Sequence, residues 1–77
     1  MPKYPIHQMQ QQRIDNDYSY HPPKEDQPDR YIRIRQAARE LAMVICENTP
    51  TSREQSLALT DLDRVVMEAN AAIARNE

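Results

Sequence analysis

Residues 52–75 read SREQSLALTDLDRVVMEANAAIAR, and this stretch decides the fold. Ser52 followed three positions later by Gln55 is a capping box, which satisfies orphan amides at the start of a helix. Thr51 with Glu54 repeats the box one residue earlier. Beyond the cap, Ala58, Leu62, Val65, Ala69 and Ala72 recur at three- and four-residue intervals, widened by Val66 and Ile73. That period gathers them on one face of an α-helix. Leu57 and Met67 fall off this stripe, with Thr60 and Ala74 between and beyond them. The helix therefore carries a second apolar surface.

Working upstream, Tyr31, Ile34, Ala38, Leu41 and Ile45 make a matching stripe at spacings of 3, 4, 3 and 4. Pro28 suits the first turn of that helix, where a missing N–H costs nothing, and Asp26 or Gln27 is placed to cap it. Pro50 forces Thr49 out of the helical region, so the helix ends near Glu47 or Asn48. Two long helices joined by a very short link form an antiparallel hairpin. Each arm is roughly 30 Å long at about 1.5 Å per residue. The expected fold class is all-α: a helical hairpin domain over residues 28–77, preceded by an N-terminal arm over residues 1–27.

The arm differs in composition. It holds Pro2, Pro5, Pro22 and Pro23, a glutamine cluster (Gln8, Gln10, Gln11, Gln12) and little hydrophobic rhythm. Such a segment is expected to be disordered or docked on a neighbouring protomer. Ile6, Met9, Gln10 and Arg13 are spaced for one short helix within it. No strand signal is present.

Seventy-seven residues bury little surface and usually need a staple or a partner. Cys46 is the single cysteine, so a disulfide framework is excluded, and a lone thiol fits a reducing compartment. His7 and His21 are isolated, which leaves no metal-ligand spacing. Glycine is absent, and with it any glycine-rich phosphate loop. No apolar run is long enough for a membrane span, and the N-terminus lacks a signal-peptide apolar core. Oligomerisation is the remaining source of buried area, so a symmetric homo-oligomer is expected.

No residue pattern suggests catalysis, and no cofactor is implied. Cys46 has no histidine beside it, and Asp61 and Asp63 point to different helix faces, Arg64 being their local partner. The arginines are sharper: Arg30, Arg33, Arg35 and Arg39 crowd the first half of one helix. At about 100° per residue, Arg35 falls beside the apolar stripe, one turn after Tyr31. There it can offer a planar fork to a phosphate, or cover the seam with its stem. Spacing leaves both open. Tyr20 and His21 precede Pro22–Pro23, a rigid extended strut that suits a ring for stacking on a planar group or for packing on its own helix. Tyr18, alternating with Tyr20, can flank the same place.

The run SREQSLALT, the acidic-aliphatic stretch after it and the closing ANAAIAR together resemble the hairpin domain of phage anti-CBASS and anti-Thoeris proteins. The likeness covers about Tyr20 to Arg75 and is densest after Thr51. It implies small helical hairpins that assemble, commonly as hexamers, and hold cyclic oligonucleotides (cGAMP among them) or cyclised ADP-ribose between protomers without cleaving them. Such a sponge works in the cytoplasm of the infected host and starves a defence effector. The family's tyrosine before the first long helix corresponds to Tyr20 and its basic residue on that helix to Arg35; together they would clamp a cyclic dinucleotide. Arg75 resembles a contributor to a separate site for cyclic trinucleotides.

Two departures stand out: Glu68 follows Met67 where many relatives place an aromatic, and Arg35 is often lysine elsewhere. The anti-Thoeris branch adds a β-rich N-terminal part that this arm does not resemble, so the cyclic-oligonucleotide branch is favoured.

Two rival readings follow from the same residues. A ligand-free hairpin could dock on a host protein through its tyrosine-bearing arm. DNA binding, prompted by the arginines, is opposed by the net charge of −2 and by the lack of a recognition-helix pattern.

Overall fold

The computed structural model describes residues 2–77. They form three helices, α1 (Gln8–Asp17), α2 (Gln27–Asn48) and α3 (Arg53–Asn76), with no strand among the described residues. Helices α2 and α3 pack as the expected antiparallel hairpin, joined by residues 49–52.

The link is built by capping. Ser52 Oγ accepts from the Gln55 amide at 3.1 Å, as the box requires. The reciprocal half is different: Gln55 Nε2 turns outward to the Thr49 carbonyl at 3.0 Å and its hydroxyl at 2.9 Å. Gln55 thus ties α3 to the last turn of α2, and Thr51 with Glu54 makes no second box. Ser52→Ala is expected to cost about 1 kcal/mol of stability, measured by urea unfolding.

At its other end α2 starts with Asp26 as N-cap, and Pro28 sits in the first turn. Asp26 does not cap through its side chain; it pairs with Arg30 at 3.1 Å. Gln27 organises the turn instead, its Oε1 accepting from the Lys24 amide at 3.0 Å. In a chain without glycine the turn must place Glu25 at φ 48°, a left-handed conformation that costs an L-residue about 1–2 kcal/mol.

The seam corrects the expected register on α3. Its half-buried members are Leu59, Leu62, Val66, Ala69 and Ile73, joined by Asn70. Ala58 and Ala72 are exposed, and Val65 is 61% exposed. Two stripes of equal period overlap on this helix, and the one that packs carries the larger aliphatic side chains. On α2 the expected Tyr31, Ile34, Ala38 and Ile45 are half-buried together with Ala42, whereas Leu41 is exposed. Leu57 and Met67 are exposed, away from the seam.

The arm carries α1, which extends the short helical spacing of Ile6 to Arg13. Gln10 Oε1 accepts from the His7 amide at 3.0 Å at its start. Its last carbonyls are capped by Ser19 Oγ, on Asp15, and by His21, whose Nε2 donates to the Asn16 carbonyl at 2.7 Å. The arm meets the end of α3 in its own chain, where Asn16 Nδ2 donates to the Arg75 carbonyl at 3.0 Å.

The whole is a slab of 51 × 37 × 14 Å, barely thicker than one helix of about 10–12 Å. Its radius of gyration is 17.5 Å, against about 11–12 Å for a compact domain of this length. No hydrophobic side chain among the described residues is buried; Gln27, 5% exposed, is the one buried residue. A compact 9.0 kDa monomer exposes about 4,900 Å²; this chain exposes 6912 Å².

Candidate functional site

Arg35 lies on α2 beside the seam, as its angular position requires. It lines an open groove of about 560 Å³ along one flank of the hairpin, with Arg39, Leu62, Asp63, Val66 and Met67 among the walls. Arg39 stands one turn beyond Arg35 and brings a second guanidinium to the same groove. The four-residue spacing from Arg35 is the sequence signal for it. Asp63 faces this groove, whereas Asp61 lines the opposite surface with Arg64 and Val65. Two guanidiniums over apolar walls, with one carboxylate opposite, can take an anionic group that also carries a flat apolar part.

The other expected contacts lie elsewhere in the chain. Tyr20 projects from the extended segment at 84% exposed, and Tyr18 is nearly as open. Tyr18 and Arg75 line a second cleft, about 510 Å³, between α1 and the end of α3, together with Ile6, Arg13, Ile14 and Asp17. His21 spends its Nε2 proton on the α1 carbonyl, so the described ring acts as a helix cap. One chain therefore does not bring Tyr20 onto the Arg35 groove.

Arg30 and Arg33 fall on the opposite flank, over a groove of about 350 Å³ with Ile34 and Ile73. Arg30 is committed there. Its guanidinium grips the Glu77 carboxylate through both terminal nitrogens, one at 2.7 Å, and Gln27 Nε2 adds a bond at 3.2 Å. Lys24 Nζ reaches the Glu77 carbonyl at 2.8 Å.

The Arg30 hydrogen bonds, then that of Gln27, hold the Glu77 carboxyl down at about 2. A depressed carboxylate stabilises the fold above its ordinary range and loses that contribution as pH falls through the folded value. The open end of the hairpin is thus expected to loosen between about pH 4.5 and 2. Hydrogen exchange of the last turn of α3 checks this, and Glu77→Gln should flatten the acid dependence.

No helix among the described residues is long and apolar enough to cross a membrane. Comparison with curated proteins and with solved structures finds no match. The family model described as the Acb2/Tad1 hairpin domain matches residues 10–74, starting inside α1 and ending in the last turn of α3. The capped link, the seam and all of the closing segment except Arg75 fall within that span. On this match the chain belongs to the Acb2/Tad1 hairpin-domain family, and with it to the phage anti-defence sponges for nucleotide signals.

Proposed function

We propose that this protein binds cyclic di- and trinucleotide immune signals and sequesters them uncleaved, blocking activation of a CBASS effector in the cytoplasm of the infected host. The observation that carries the reading is the groove beside the seam, where Arg35 and Arg39 stand over apolar walls in a chain of this family. The Arg35 fork takes a phosphate, and Tyr20, free on its proline strut, stacks on a base. Since one chain does not bring the two together, the site forms between protomers of a symmetric oligomer, a hexamer in this reading. Arg75, with Tyr18 beside it, serves a separate trinucleotide site, and His21 holds the strut in place through α1. The hairpin domain proper is residues 28–77, and the arm over 1–27 adds to the assembly.

Thermal melting tests the function. A cyclic dinucleotide should raise the melting temperature by mass action, and the same molecule should be recovered intact on heating. A linear product would show a phosphodiesterase instead. Cyclised ADP-ribose in the same titration tests the anti-Thoeris alternative.

The arm's exposed Tyr4, Ile6 and Met9 favour one further reading, a module that docks on a host protein. Deleting residues 1–17 separates the two. A sponge tolerates the loss of residues 1–17 better, since Tyr20 and Arg35 remain, whereas a docking module loses its activity.

A further inference from the structure

Two ionic clasps close the open end of the molecule, and they differ in kind. Glu77 is gripped in a bidentate fashion and supported by Gln27. Asp17, at the end of α1, is instead shared between two arginines, 3.5 Å from Arg13 and 3.6 Å from Arg75. Both distances exceed the roughly 2.7–2.9 Å of a charge-assisted hydrogen bond. Yet the carboxylate is well shielded: its side chain is 15% exposed, against 43% for Arg75. The three charges sit in the cleft of about 510 Å³, with Tyr18 at its rim and Ile6 and Ile14 lining it.

A carboxylate poised between two guanidiniums occupies the place a phosphate oxygen would take, since both are oxyanions suited to the same planar fork. The contacts that tie the end of α1 to α3 are the Asp17 pair and the adjacent Asn16–Arg75 hydrogen bond. A phosphodiester in that place would itself bridge Arg13 on α1 and Arg75 on α3, so displacing Asp17 exchanges one tie for another.

We propose that Asp17 is a built-in competitor in this cleft: it holds Arg75 in the empty protein and is displaced by a phosphodiester. The inference rests on the reading of Arg75 as a phosphate contact. By reciprocity, the affinity the ligand loses in displacing Asp17 is regained when the carboxylate is absent. An ion pair this long and partly exposed restrains binding about two- to five-fold. With the carboxylate in place the cleft carries one net positive charge; without it, two.

Calorimetric titration of the full chain with cyclic triadenylate tests this. Asp17→Asn should bind about two- to five-fold tighter than the original chain. Asp17→Glu, which keeps the charge, should stay near it. Arg75→Ala should lose trinucleotide binding. If Asp17→Asn binds equally or more weakly while Arg75→Ala loses binding, the carboxylate positions Arg75 or is idle; the inference falls and the Arg75 reading stands. Equal affinities for the Asn and Glu variants also overturn it. Arg75→Ala binding like the original chain removes the Arg75 reading itself, and this inference with it.

Discussion

Arg35→Ala and Tyr20→Ala are each expected to weaken cyclic-dinucleotide binding about ten- to hundred-fold, with the oligomer intact. A hydrogen bond to a charged group contributes about 1.5–3 kcal/mol, and a stacked base about 1–3 kcal/mol. Each 1.4 kcal/mol is roughly a factor of ten in affinity. Both side chains are exposed, so truncating them changes folding by only about 0.5 kcal/mol. A loss of affinity therefore reports on the ligand rather than on the scaffold. Arg35→Lys keeps the charge but not the planar fork, and an intermediate loss is expected. Titration calorimetry with sedimentation on the same samples gives both readouts. Normal binding by both alanine variants would discard the site assignment.

The second large effect concerns assembly. Val65→Arg should be nearly silent in an isolated hairpin, because the residue is 61% exposed and outside the seam. In an assembled protein it should shift the sedimenting species to the monomer and lower the melting temperature steeply. The reason is the absence of a monomer core: no hydrophobic side chain is buried among the described residues. The chain also exposes about 2,000 Å² more than a compact protein of its mass. That excess is more than twice the roughly 800 Å² that each partner buries in a standard protein interface. The melting temperature of the original chain should accordingly rise with protein concentration. A monomer whose melting is independent of concentration would end the shared-site reading.

Much of the hairpin was legible because its signals are local. Pro28 at the start of α2, Pro50 after its end and Ser52 at the start of α3 act through neighbouring atoms of the chain, and each stands where the sequence puts it. The α3 stripe was misread because Ala58, Val65 and Ala72 share the helical period with Leu59, Val66 and Ile73. Periodicity fixes the spacing of a face but not its rotation, which is set by the volumes that must interlock with α2. Helix α1 was harder to read, since its composition argues against a segment that folds for its own burial. It is held by end caps and by the tie of Asn16 to Arg75, 59 positions further along the chain.

The candidate site divides in the same way. Arg35 beside the seam followed from an angle of rotation, and the groove around it agrees. Arg39 as its companion, Arg30 consumed by Glu77, His21 spent as a cap and Asp17 bridging two arginines could not be read in advance. By itself the sequence determined two long helices, their caps, the tight turn between them and an arginine at the seam edge, because those depend on near neighbours and a fixed helical period. Only the tertiary structure decided which face packs, which charges are already paired and which remain open to an anion, because those depend on residues that meet only when the chain folds back on itself.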